Sequence, residues 1–395
     1  MGYGFDTPVD RTGGDSTKWA KYATDRHAGR DVIPLWVADM DFAAPPPVIE
    51  ALRERVDHGV FGYNQPTGAQ TQSVLDYLER HFDYRAEAEW IVWLPGLVSG
   101  LNVACRSVGE PGSAVFTATP IYPPFLSSPR FSGRRVVTAP LVLPPGGADA
   151  EDAGWQWSFP TVNAVLGNCK AKLFLLCHPH NPVGRAWHDD ELWQIAALAE
   201  KYDVVVCSDE IHNGLILAPD REHALFAGLA PEIAERTITL MAPSKTFNIP
   251  GLGCAFAIIS NDRLRRDFRT AMHGIVPHAN ALGMAATAAA LTRCDDWHAA
   301  LIDYLRSNAR AVERCVNGIE GLSMAPVEAT YLAWIDAGEF CRARGIESAA
   351  KYFEQHGLGL SDGADFGTPG FVRLNFGTRR VLLDEALERL RAACA

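Results

Sequence analysis

Three apolar runs in this sequence each end in polar side chains that could do chemistry. LFLLCHPHNPVGR enters a loop at His178–Arg185 that carries Asn181, VVVCSDEIH ends in Asp209, Glu210 and His212, and TITLMAPSKTF ends in Ser244 and Lys245. An amide, a carboxylate and an amine thus close three successive runs. Singly, each has an ordinary structural use: an Asp there caps a helix or a turn, and a Lys is a solvated surface charge. Delivered together to one crevice, they form a set that can hold and polarise a small molecule.

The elements that must position these residues are legible as a pattern. Short apolar runs at Ala114–Thr117, Arg135–Thr138, Lys172–Cys177, Val204–Ser208, Thr237–Met241 and Cys254–Ile259 alternate with helical stretches. LFLLC, VVVCS and AFAII are continuously apolar, which suits strands covered by helices on both faces. The spacing predicts an α/β fold with a mostly parallel, doubly wound sheet. In such a sheet ligands bind beyond the carboxyl ends of the strands. Helical patterns run through VIEALRERVDHG after Pro47 and through Thr71–His81, and long helices are expected over 275–320. Strand-like runs follow at Thr330–Ile335 and Phe371–Phe376, with a closing helix in LLDEALERLRAAC. The chain therefore divides into an N-terminal arm (1–45), a large domain (46–285) and a smaller α+β domain (286–395), with a loop at Pro144–Gly154.

Composition narrows the function. The 395 residues carry 36 Lys+Arg against 47 Asp+Glu, a net charge of −11, which argues against phosphate-backbone binding and a nucleic-acid partner. No apolar run approaches the ~18 residues of a membrane span, and the opening MGYGFDTPVDRTGGD lacks the layout of a secretory signal. Nine cysteines form no CxxC pair and several lie in apolar runs, the usage of a reduced, cytoplasmic protein without a zinc knuckle. The chain holds no GxxxxGK[ST] and no HExxH, and its nearest approach to G-x-G-x-x-G, Gly251-Leu-Gly253, runs on to Phe256.

An amine, a carboxylate and an amide are together what pyridoxal 5′-phosphate requires. The amine forms a Schiff base with its aldehyde, the carboxylate keeps the pyridine nitrogen protonated, and the amide donates to the phenolate oxygen. A hydroxyl and loop amides can hold the phosphate. The motifs HNPVGR, SDEIH and PSKTFN followed by PG resemble those of fold-type-I pyridoxal phosphate enzymes of the class I/II aminotransferase superfamily, over essentially the whole chain. WVADMDF at 36–42, FGYNQPTG at 61–68, TPIYPPF at 119–125 and APSKTFNIPGLG are most similar to the bacterial cystathionine β-lyase and cysteine-S-conjugate β-lyase group.

The resemblance implies an aspartate aminotransferase-like fold and a role for each matched residue. Lys245 would be the Schiff-base lysine and general base, Asp209 the pyridinium partner and Asn181 the phenolate donor. Ser244 and the amides of Leu97 and Val98 would hold the phosphate, Tyr122 would stack on the ring, and Arg373 would pair with the substrate α-carboxylate. His212 stands where many aminotransferases have a Tyr, so it is either a cofactor contact or a structural histidine. Tyr63 would reach the neighbouring subunit's cofactor, implying a homodimer with shared active sites; the lesser alternative for Tyr63 and for Tyr122 is that each simply packs a loop. Trp36, Asp39 and Asp41 either line the entrance or anchor the arm. The wider superfamily carries an Arg where this chain has Gly253, and the β-lyase group also lacks it. The expected activity is cleavage of cystathionine, or another cysteine S-conjugate, to a thiol, pyruvate and ammonia. Three alternatives stand beside it: an aminotransferase, a biosynthetic enzyme acting on a bulky cysteine conjugate by C–S cleavage or decarboxylation-linked oxidative deamination, and a regulator that binds a partner protein.

Overall fold

A computed structural model describes residues 3–23, 26–27, 30–144 and 154–395. The apolar runs assemble into one eight-stranded sheet: β1 (Ile91–Leu94), β2 (Ala114–Thr119), β3 (Arg135–Val142), β4 (Gln156–Trp157), β5 (Ala171–Cys177), β6 (Val205–Asp209), β7 (Thr237–Met241) and β8 (Ala255–Ile258). Their spatial order is β1-β8-β7-β6-β5-β2-β3-β4. The stretch β7-β6-β5-β2-β3 is parallel throughout. β8 runs against both of its neighbours, so β1 regains the common direction, and β4 closes the far edge antiparallel. The carboxyl ends of β1, β2, β5, β6 and β7 therefore share one edge.

Alternation along the strands explains why those runs are apolar on both sides. Phe174, Leu176 and Val206 join one core with Leu192 and Ile195 of the helix Asp189–Lys201. Leu173, Leu175, Cys207, Ile238 and Leu240 join the opposite core, with Leu101 and Phe268. Every second side chain thus meets a helix on its own face. Each such fully buried Leu or Phe contributes about 1.5–3 kcal/mol.

A second sheet, β9 (Leu332–Asp336), β10 (Ser361–Asp362) and β11 (Phe371–Asn375), is antiparallel in the order β9-β11-β10. Ile33–Pro34 of the arm pairs in parallel with Leu358–Gly359, which ties the start of the chain to this C-terminal part. Three of the numbered strands have no counterpart among the predicted runs, the four-residue β1 and the two-residue β4 and β10; all are too short to show a period. β9 starts at Leu332 rather than Thr330 because Thr330 takes φ +74°, which strand pairing does not allow. The division at 285/286 falls inside the helix Ala281–Arg293, which packs on Pro46–Asp57 and Gly68–Phe82. Of the loop Pro144–Gly154, residues 145–153 lie outside the described residues.

Candidate active site

A cavity of about 800 Å³ opens at the shared carboxyl edge, and nine of the ten residues singled out from the sequence line it. Asp209 is the last residue of β6, in register with Cys177 of β5 and Leu240 of β7, so it stands between the strands that deliver Asn181 and Lys245. Its Oδ1 accepts the Ile211 N–H at 3.2 Å. Lys245, four residues beyond β7, donates from Nζ to the carbonyl of Ala38. Tyr122 follows β2 and donates its backbone N–H to the Asn181 carbonyl at 3.1 Å. Leu97 and Val98 open the helix α1 (Leu97–Ser107), whose Gly96 N-cap offers no side chain and whose first turn holds no acidic residue. The free amides there, with the Ser99 and Ser244 side chains on the same cavity wall, make a seat for an anion.

Arg373 crosses to this cavity from β11 of the second sheet. Its Nη1 donates to Asn181 Oδ1 at 3.1 Å, and Nη2 donates to the Trp36 carbonyl at 2.8 Å and to Ser361 Oγ at 3.3 Å. The guanidinium lies 4.7 Å from the Phe366 ring, and its buried Nε has no partner. His212 is buried with Nδ1 unpartnered. Tyr63 is the one predicted site residue outside the cavity; it is fully exposed.

Burial drives the electrostatics. It lifts the Asp209 carboxyl to about 7, against the Ile211 hydrogen bond and Lys245, while Glu210 adds to the rise. It lowers the Lys245 amine to about 8, helped by Arg373 and opposed by Asp39 and Asp209. It lowers the Arg373 guanidinium to about 10 and holds His212 well below its ordinary value, hence neutral. An amine that loses its proton near neutrality, beside a permanent cation, can bind carbonyl compounds and take protons. Behind Asp209 sits a second buried group. Glu210 accepts from Ser208 Oγ at 2.8 Å and lies 2.6 Å from His223 Nε2, and His223 stacks on His178 at 4.3 Å.

The segment 36–42 forms a strap over this site, and its backbone carbonyls do the work. Asn375 Nδ2 donates to the Val37 and Asp39 carbonyls at 2.6 and 2.7 Å; Asn248 Nδ2 donates to those of Met40 and Phe42 at 2.9 and 2.7 Å. The Ala38 carbonyl accepts from Tyr331 Oη at 2.9 Å as well as from Lys245. Asp39 and Asp41 anchor the arm: Arg11 pairs with both, and the fully buried Lys18 pairs with Asp41 at 2.7 Å. Trp36 lines the cavity. Ala38, Ser99, Asn248, Tyr331 and Asn375 are thus site residues that sequence reasoning missed. Ser99 had a signal, since it follows Leu97 and Val98 in PGLVSG; the others act on main-chain atoms and had none. Gly253 takes φ +56°, and a Cβ there would lie 3.2 Å from the Pro95 carbonyl oxygen, so an Arg at this position would be strained.

Residues 30–390 match the family described as aminotransferase class I and II. The chain is 34% identical to cystathionine β-lyase PatB of Bacillus subtilis strain 168, over 98% of this chain and 99% of that one. It is 42% identical to OvoB, whose crystal structure superposes with a TM-score of 0.91 over 99% of each chain. Cystalysin from Treponema denticola, whose crystal structure contains a pyridoxal 5′-phosphate cofactor, is 32% identical with a TM-score of 0.91, over 100% of this chain and 99% of its own.

Proposed function

The chain belongs to the aminotransferase class I and II family, and we propose that within it the protein is a pyridoxal 5′-phosphate-dependent carbon–sulfur β-lyase. It cleaves cystathionine or another cysteine S-conjugate to a thiol, pyruvate and ammonia. The observation that carries this reading is the pairing of a half-buried Lys245 amine with a buried Asp209 carboxylate across adjacent strand ends, in a chain similar throughout its length to a cystathionine β-lyase.

The residues present fit the cofactor. His212 and Arg373, each with an unpartnered buried nitrogen, line a cavity that also offers one amine, one carboxylate and the free amides at the start of α1. When bound, pyridoxal phosphate supplies an aldehyde that captures amines and a ring that accepts the electron pair left at Cα. Lys245 would hold it, Asp209 would keep its ring nitrogen protonated, and Asn181 and His212 would face its phenolate side. Tyr122 would cover the ring. Ser244, with the Leu97 and Val98 amides, would hold its phosphate. Arg373 would receive the substrate α-carboxylate, a task that suits a planar guanidinium already fixed by Asn181 and Trp36. Lys245 Nζ then takes the Cα proton, the β C–S bond breaks, and the sulfur leaves with its electron pair as thiolate. Hydrolysis of what remains gives pyruvate and ammonia.

The reading includes a homodimer with shared active sites. Tyr63 stands fully exposed beside exposed Val60 and Phe61, so this apolar surface suits a second copy of the chain whose cavity Tyr63 would complete. Eight of nine free cysteines are buried as small hydrophobes, in keeping with a reducing cytoplasm, and no helix among the described residues is long and apolar enough to cross a membrane.

The test is to incubate the purified protein with cystathionine and with S-alkyl cysteines and to follow pyruvate and free thiol. The lyase reading requires both products in equal amounts with no keto acid added. Turnover that needs an added keto acid and releases no thiol would make it an aminotransferase. Borohydride reduction should fix the cofactor to Lys245, and recovery on another lysine would overturn the assignment.

A further inference from the structure

Lys245 and Tyr331 donate to the same oxygen, the carbonyl of Ala38. Tyr331 is buried, and its hydroxyl makes no other hydrogen bond among the described residues. The backbone that aims it is unusual. Thr330, a fully buried β-branched residue, takes φ +74°, a conformation in which such residues are outliers. It is held there by its N–H to the Leu215 carbonyl at 2.8 Å and by its Oγ1 accepting the Leu332 N–H at 3.1 Å. Tyr331's own carbonyl accepts the Phe376 N–H at 2.9 Å. A strained backbone kept by its surroundings, next to a site, is a reason to ask what the side chain does. The acceptor is equally fixed, because Asn375 pins the carbonyls on both sides of Ala38.

We propose that Tyr331 is a positioning residue for Lys245: by occupying part of the Ala38 carbonyl it limits how strongly that oxygen holds the protonated amine. The inference rests on Lys245 being the reacting amine. A hydrogen bond to the charged form stabilises it, and a second donor on the same oxygen weakens that bond. The Ala38 oxygen becomes a resting place that Lys245, protonated after taking the Cα proton, can leave again. The charged and titratable groups facing Nζ are Arg373 from β11, Asp209 from β6, Asp39 on the strap and the neutral His212. Of these, Arg373 and Asp39 also interact electrostatically with Tyr331, and removing its hydroxyl leaves all four residues in place.

The experiment reads the amine directly. The full chain freed of cofactor is labelled with limiting acetic anhydride across a pH series, and modification of Lys245 is followed by peptide mass spectrometry. In Tyr331→Phe the oxygen is left to Lys245 alone, so the labelling midpoint should rise by at least about half a unit and labelling at pH 7 should fall about threefold. Incorporating 3-fluorotyrosine at 331, a stronger donor, should move the midpoint down, and it supplies the test if the Phe variant does not fold. With cofactor restored, Tyr331→Phe should lower kcat at pH 7 and leave KM unchanged. A midpoint unmoved in both variants, or moved down in Tyr331→Phe, overturns the proposal. Borohydride trapping on wild-type Lys245 separates this failure from failure of the underlying reading: trapping elsewhere sinks the assignment of the amine itself.

Discussion

Asp209 and Lys245 are neighbours in space whose proton affinities are driven toward each other by the same cause. Burial raises the acid to about 7 and lowers the base to about 8. Groups whose environments perturb them in this way are candidates for acid–base roles. A protonated ring nitrogen beside Asp209 would restore its charge, since an adjacent cation favours the ionised carboxylate. Asp209→Asn should therefore still carry cofactor on Lys245 but turn over about 10²–10³-fold more slowly, the usual loss when one preorganised electrostatic partner is removed. Borohydride mapping of one sample locates the cofactor, and steady-state kinetics on a separate, unreduced sample decides it; near-wild-type turnover would make Asp209 a structural carboxylate. At this scale the sequence was a good guide where chemistry resides in side chains. Lys245, Asp209 and Asn181 each close an apolar run, and the structure brings them to one cavity. It was a poor guide to Ala38, Tyr331 and Asn375, because a main-chain carbonyl and the side chains that bond it leave no pattern in residue types.

Among elements, the parallel strands were legible for a physical reason: strands covered on both faces must be apolar at every position, and LFLLC, VVVCS and AFAII are. β1 escaped because IVWL is too short to show a period. The strap escaped because it has no repeating hydrogen-bond pattern and is held by side chains from distant parts of the chain. Just beyond β5 and β6, His178 and Glu210 are buried together with the His223 side chain, which stacks on His178. Burial pushes both rings down to about 3, whereas in the unfolded chain they titrate near 6.5. Below pH 6.5 the unfolded state thus takes up two protons that the folded state refuses, and stability falls as the pH drops. Glu210, raised to about 7 mainly by burial, works in the opposite sense over pH 4.5–7 and offsets one of them. Within this cluster unfolding takes up about one proton net between pH 6.5 and 4.5, so the cluster's contribution to stability falls as the pH drops across that window. His178→Gln should flatten this contribution, because the remaining ring and Glu210 cancel. Urea midpoints at pH 5.0 and 6.5 for both proteins test it, and equal slopes would show that His178 is not the source.

The whole molecule is proposed to act as a pair. Tyr63 lies outside its own cavity and is fully exposed, so a site that needs it would receive it from a second copy. Mixing settles the matter. A Tyr63→Phe chain and a Lys245→Ala chain, each weak alone, should regain up to about one site's worth of activity per heterodimer, half that of the wild-type dimer. One site then has both intact residues and the other has neither. If heterodimers form by mass and no activity returns, Tyr63 acts within its own subunit or not at all. The strap adds a different consequence, one of timing during synthesis. Residues 36–42 leave the ribosome well before Asn248, Tyr331, Arg373 and Asn375, which hold their carbonyls and come up to 338 residues later. At roughly 5–20 residues per second that interval is about 20–70 s. Through it the β1–β8 sheet can form and Lys245 can already stand at its strand end, but the roof over the amine is still missing. Competence therefore arrives with the last strand, β11, rather than with the sheet that bears the reactive groups.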